Sequence, residues 1–291
     1  MPTVTQIERR HLFAGLAAAV TAGAAGAAGA YRAASHPNGS GATAIHPGNG
    51  HLTRLMVRDS VGVHSPVIVW HPPVPESADL PVVYLLHGVP GDAPGTAATG
   101  IVAATAAAIR AGAAAPVVLA IPDGNGRRGD TEWADASDGR DLVATRVVGH
   151  VLPAVEFRHP RPRQRRALVG FSMGGFGAAN LGLQHPDLFS QWVSLDGYFR
   201  LDDPDGAFGD AAARGANTPD RRAGAAASQR VLLVEDTSER SPVRGEAVRM
   251  HGLLTDAGSR SALWTPPGSH SWDFVLDQWA AVLRWLDEGW S

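Results

Sequence analysis

The sequence predicts an α/β fold with a mostly parallel central sheet, helices on both faces and at most a small cap. Three observations predict it. From Leu52 to the C-terminus, short apolar runs of strand length alternate with stretches of helical period. Ser172, with Gly170 and Gly174 on either side, stands between one such run and a helix-compatible stretch. His270, in a loop with Gly268, separates the last apolar run from the final helix.

The 291 residues are 44% hydrophobic, enough for one large core. The formal net charge of −3 carries no long single-sign run, so nothing marks a nucleic-acid backbone or an anionic membrane surface as partner. A small-molecule or glycan-linked substrate is expected. There is no Lys, and all 25 Lys-or-Arg positions are Arg, which excludes a phosphate loop of the Gly-Lys type and a Lys Schiff base. There is no Cys either, which excludes a thiol nucleophile, Cys-ligated zinc and disulfides.

Met1 to Arg10 is polar and ends in Arg9-Arg10; Leu12 to Ala30 is uncharged, rich in Ala and Gly, and ends in small residues. Residues 1–30 read as a signal peptide of twin-arginine type with a cleavage site at Ala28-Gly29-Ala30. The stretch is too weakly apolar to match the roughly 20 strongly apolar residues of a stable anchor, so no membrane span is expected in the mature protein. Residues 31–50, rich in Ser, Asn, Gly and Pro, read as a linker. Its His36 and His46, with His51 beyond, match no metal-ligand spacing. Residues 51–291 are the expected catalytic domain.

The candidate strands are Thr53 to Arg58, Ser65 to Trp70, Val82 to Leu86, Val117 to Ile121, Ala167 to Phe171, Trp192 to Leu195, Val231 to Val234 and Ala262 to Trp264. Most are continuous apolar runs, as strands buried on both faces are. Leu142, Val143, Val147, Val148, Val151, Leu152 and Val155 recur with helical period, with Pro153 expected to kink or end that helix. Val275, Trp279, Val282, Leu283 and Leu286 line one face of a final helix. Arg200 to Gln229, poor in large apolar residues, reads as a surface excursion or small cap.

In Gly170-Phe171-Ser172-Met173-Gly174-Gly175, the small residues two positions either side of Ser172 let a sharp strand-to-helix turn project its hydroxyl. Such a serine needs a base downstream. His270, in Pro266-Pro267-Gly268-Ser269-His270-Ser271-Trp272, follows the last strand and can lay its imidazole over the nucleophile. The orienting acid is expected after the strand Val231 to Val234, where Glu235, Asp236 and Glu239 are available; Glu239 has the favoured reach and Asp236 is its nearest rival. Val82 to Leu86 breaks into His87-Gly88-Val89-Pro90-Gly91. Pro90 has no N–H, so the backbone of Val89, with that of Met173, is the candidate oxyanion hole.

These residues resemble the esterase D and mycolyltransferase group of α/β-hydrolases. The resemblance runs through Leu85-Leu86-His87-Gly88, Ile121-Pro122-Asp123-Gly124, the Ser172 motif, Gln184-His185-Pro186-Asp187-Leu188-Phe189 and His270-Ser271-Trp272. It implies an α/β-hydrolase fold and an acyl-enzyme mechanism without cofactor or metal, with Ser172, Glu239 and His270 as triad and Val89 and Met173 as donors. Two features depart from the group. Its esterases usually have Gly and then Asp after the penultimate strand, where this chain has Glu235-Asp236-Thr237-Ser238-Glu239. Many of its mycolyltransferases have a pair of cysteines that this chain lacks.

The expected function is therefore ester hydrolysis by an exported serine esterase. Acyl transfer to a carbohydrate hydroxyl by the same residues is the first alternative, and a non-catalytic glycan-binding protein of this fold the second. A serine peptidase is disfavoured, because the chain has no large accessory domain to restrict peptide access. The leader gives the first testable outcome: protein from its native host is expected outside the cytoplasm with an N-terminus near Tyr31, checked by fractionation and terminal sequencing. An uncleaved cytoplasmic chain would contradict it.

Overall fold

In the run Val82 to Leu86 the Tyr84 hydroxyl is the sole polar side-chain group, and all five residues are buried. A segment with no face for water must lie inside a sheet covered on both sides. The structure, a computed structural model, describes residues 44–46, 50–75, 79–128, 131–201, 203 and 206–290. The signal segment 1–30 and linker residues 31–43 and 47–49 lie outside the described residues.

The strands are β1 (Ala44–His46), β2 (Gly50–Arg58), β3 (His64–His71), β4 (Val82–Leu86), β5 (Val118–Pro122), β6 (Arg166–Phe171), β7 (Gln191–Leu195), β8 (Arg230–Val234) and β9 (Arg260–Trp264). Their order across the sheet is β1-β2-β3-β5-β4-β6-β7-β8-β9. Pairings from β5 to β9 are parallel, and β1 to β3 join antiparallel at one edge. The helices are α1 (Ala93–Thr96), α2 (Val102–Arg110), α3 (Val143–Arg146), α4 (Leu152–Val155), α5 (Met173–Gln184), α6 (Ala211–Ala216), α7 (Glu246–Asp256) and α8 (Trp272–Glu288).

Alternate residues of each strand feed two cores. Val82, Tyr84 and Leu86 join Leu168, Trp192, Val231 and Leu233 on the face covered by α3, α5 and α7. Val83 and Leu85 join Val169, Val193, Leu232 and Val234 on the opposite face, under α2 and α8. The five apolar positions read for the final helix, Val275, Trp279, Val282, Leu283 and Leu286, are all buried in this second core.

Three segments add to or differ from the sequence reading. Ala44–His46, placed in the linker, pairs with β2 as an added edge strand. Pro153 does not end its helix, but a wide π turn over Val147–Val151 breaks the α-helical pattern just before it, and the chain leaves the helix at Glu156. In the excursion, Asp210 caps α6 through the amides of Ala212 and Ala213. The turns that follow then bury Ala223 and Ala226 in the first core.

Trp279 is fully buried and its Nε1 donates to the Thr105 hydroxyl at 2.8 Å, tying α8 to α2. Trp279→Ala is expected to cost about 3–5 kcal/mol in a denaturant titration. Phe157→Ala, at a side chain 84% exposed, should stay within about 0.5 kcal/mol of the parent.

Candidate active site

The turn after β6 is strained and held by close main-chain contacts. Ser172 has φ 58° and ψ −119° and is followed directly by α5. A β-carbon on Gly170 would lie 1.9 Å from the Gly174 carbonyl oxygen, and one on Gly174 2.0 Å from that of Leu86. Only glycine fits at either position, which is the steric reason for the motif. The Ser172 amide donates to the Leu195 carbonyl at 3.0 Å, fixing the turn to β7.

His270 lies in the loop between β9 and α8, one residue before Ser271, whose hydroxyl caps α8 at the Phe274 amide. The ring of Phe171 sits 4.8 Å from the imidazole centroid and 5.2 Å from that of Trp272. Nε2 of His270 lies 2.9 Å from Oγ of Ser172, across 98 residues of chain. With Nε2 unprotonated, the serine hydroxyl donates to it and the ring proton resides on Nδ1.

Nδ1 faces a carboxylate that the sequence reading did not select. Oδ2 of Asp196 lies 3.6 Å away. Asp196 follows β7, is fully buried, and has a left-handed backbone, with φ 47°. Asp236, the rival acid, is also buried, and its amide donates to Oδ1 of Asp196 at 2.7 Å. One ligand atom from each of Asp196, Asp236 and His270 falls within a 4.8 Å cluster, the one group of three with metal-like spacing among the described residues. His270 enters that cluster while its Nε2 is engaged with Ser172, so the group serves to orient the ring.

The expectation of Glu239 as the acid is corrected. Glu239 is exposed and has no place in that cluster. The third candidate, Glu235, turns the other way: it accepts the Gly245 and Ala247 amides at 2.5 and 2.7 Å, and so caps α7. Burial raises the Asp196 carboxyl above the ordinary carboxylate range, and the Asp236 charge adds to the rise; the His270 contact and the Asp236 amide oppose it.

The turn after β4 passes over the nucleophile. A β-carbon on Gly88 would lie 2.9 Å from the Ser172 β-carbon and 3.5 Å from its Oγ, so the Gly88 backbone packs directly against the nucleophile, with Val89 the next residue of the turn. The Met173 amide is the first of α5, a position with no intrahelical acceptor. Buried His87 braces the turn. Its Nε2 accepts the Gly124 amide at 2.9 Å, so its proton sits on Nδ1, 2.9 Å from the Gly88 carbonyl. Burial lowers its pKa, which favours this neutral form. Trp133 Nε1 donates to the His87 carbonyl at 3.0 Å, and Asn125 Nδ2 to the Gly91 carbonyl at 2.8 Å. Arg146, paired with buried Asp59 at 3.6 Å, holds the Asn125 carbonyl at 2.7 Å.

With two buried acids beside the imidazole and amides at the turn, the arrangement can generate a nucleophilic serine and stabilise an oxyanion. The Esterase family, described as "Putative esterase", matches residues 59–285. No curated protein matches the sequence. Among solved structures, a ferulic acid esterase is 19% identical with TM-score 0.72, covering 82% of this chain and 98% of its own. An S-formylglutathione hydrolase from Agrobacterium tumefaciens is 18% identical with TM-score 0.70, covering 87% and 100%. Mycobacterium tuberculosis MPT51 (FbpC1) is 20% identical with TM-score 0.65, covering 82% and 99%. These likenesses carry the fold, and the family match carries more: the chain belongs to the esterase family, on the α/β-hydrolase fold.

Proposed function

We propose that the protein is an exported serine carboxylesterase that works through an acyl-enzyme. The observation that carries the reading is the 2.9 Å contact between Nε2 of His270 and Oγ of Ser172, at a turn whose strain is maintained by glycine contacts. In the proposed reaction, Oγ attacks the ester carbonyl carbon and its proton passes to Nε2 as the C–O bond forms. The Val89 and Met173 amides receive the negative oxygen. Collapse expels the alcohol with the proton from Nε2 and leaves an acyl-serine. Water then gives a proton to Nε2 and attacks the acyl carbon; as the C–Oγ bond breaks, Nε2 returns that proton to Oγ, releasing the acid and restoring the Ser172 hydroxyl.

Hydrolysis is favoured over transfer to a carbohydrate hydroxyl by the family match and by solved structures named as esterases and hydrolases. The substrate class is an ester of a small molecule or a glycan-linked acid. Export rests on Arg9-Arg10 and the weakly apolar run after them. Among the described residues no helix is long and apolar enough to cross a membrane.

A panel of p-nitrophenyl esters of increasing chain length tests the reading. The parent is expected to turn over at least one of them. Ser172→Ala should lower kcat by about 10⁴–10⁶ while the protein keeps its unfolding midpoint. Undiminished turnover in the folded variant would overturn the proposal.

A further inference from the structure

The sheet order sets β7 between the nucleophile strand β6 and β8, so two neighbouring parallel strands end at the same edge beside His270. Each ends in a buried aspartate: Asp196 is 0% exposed and Asp236 2%. Their carboxylates are not used alike. Asp196 spends Oδ1 on the Asp236 amide at 2.7 Å, and Asp236 spends Oδ1 on the Ser238 amide at 2.7 Å. Each keeps one oxygen, Oδ2, that is buried without a hydrogen-bond partner among the described residues. A buried, uncommitted carboxylate oxygen costs free energy unless a donor reaches it.

His270 supplies the donor. Nδ1 is 3.6 Å from Oδ2 of Asp196, and the three groups share a cluster within 4.8 Å. At 3.6 Å the contact with Asp196 is longer than a hydrogen bond, so a small swing of the ring decides which carboxylate receives its proton. Resting on the serine-esterase reading above, we propose that the acid of this triad is a pair. Asp196 and Asp236, from adjacent strands, both orient the imidazole through Nδ1, and either one serves when the other is lost. They are positioning residues, acting through His270. Burial is what chiefly raises the Asp196 carboxyl, and the Asp236 charge beside it adds a smaller push in the same direction. The charged neighbours of the Asp196 carboxyl are His270 from the loop before α8, and Asp236 and Glu235 from the loop after β8.

A double-mutant cycle tests this with Asp196→Asn, Asp236→Asn and the double variant, reading kcat and KM separately, unfolding midpoints and fluorophosphonate labelling. Each single change should lower kcat by about 10- to 100-fold with KM within about threefold, and the double change by about 10³–10⁴. Each loss of a negative charge facing the imidazolium should also move the acid limb of kcat/KM to lower pH, which a purely structural role would not do. If Asp196→Asn or Asp236→Asn alone reaches the loss of the double variant, one acid acts alone and the pair is overturned. If the double variant loses no more than the product of the two single losses, neither acid replaces the other and the pair is equally overturned. Should the double variant not fold, the two singles still decide: a loss of about 10³ or more in either contradicts mutual replacement. Failure of the parent to turn over esters or take the probe would instead strike the esterase reading, so the two failures are distinct.

Discussion

The catalytic end of this sheet depends on one close approach of main chain to main chain, that of Gly174 on Leu86. A single added carbon at Gly174 would stand 2.0 Å from the Leu86 carbonyl oxygen, and one at Gly170 would strike Gly174 itself. Bare backbone at both positions lets α5 start hard against the end of β4. The Gly88 backbone thereby packs against the Ser172 side chain, with the first amide of α5 following directly after it. The cost is a serine in a left-handed conformation that L-residues avoid, and the surrounding contacts over-determine it. The Ser172 carbonyl accepts the Phe176 amide at 3.1 Å, its amide donates to Leu195, and its neighbour Phe171 is wedged against His270 and Trp272.

The acids near the site show how burial sorts identical chemistry into different tasks. Glu235 and Asp236 are consecutive, yet one caps α7 and the other faces the imidazole, because successive side chains at a strand end point to opposite sides. Glu246 is matched by Arg249, whose guanidinium also reaches Asp220, so its charge is neutralised away from the site. Glu156 is likewise matched by Arg166 at 2.7 and 2.8 Å, and also accepts the Tyr84 hydroxyl at 2.9 Å. Among the described residues, no Arg pairs with Asp196 or Asp236, and the cation they face in the proposed mechanism is the imidazolium that forms during catalysis. Burial that penalises the Asp196 charge in the resting state makes the imidazolium formed on attack a favourable partner for it.

Much of this was legible in the residues. The eight expected strands coincide with β2 to β9 within a few residues, and most closely at β4, where the apolar run Val82–Leu86 is buried throughout and leaves no polar residue to blur its limits. Ser172 and His270 could be named because each carries a local signature, glycines around one and a loop between the last strand and helix around the other. Asp196 carries almost none. Its signal is an acid closing the apolar run Trp192 to Leu195 before Gly197, and the reading looked one strand later. Chain order alone does not tell which strand ends nearest the imidazole; the sheet order does, with β7 beside β6. The edge strand Ala44–His46 was missed for a similar reason, since three residues on a polar segment pair through backbone groups that composition does not report.

Covalent acylation of Ser172 is the step on which the proposed reaction depends. The most direct measurement is peptide mapping by mass spectrometry after brief reaction of the intact protein with a fluorophosphonate. The account predicts one adduct per chain, on the peptide containing Phe171-Ser172-Met173, with the Ser172 side chain as its site. An adduct on any other residue, or an unlabelled Ser172 in a protein that is turning over esters, would contradict it.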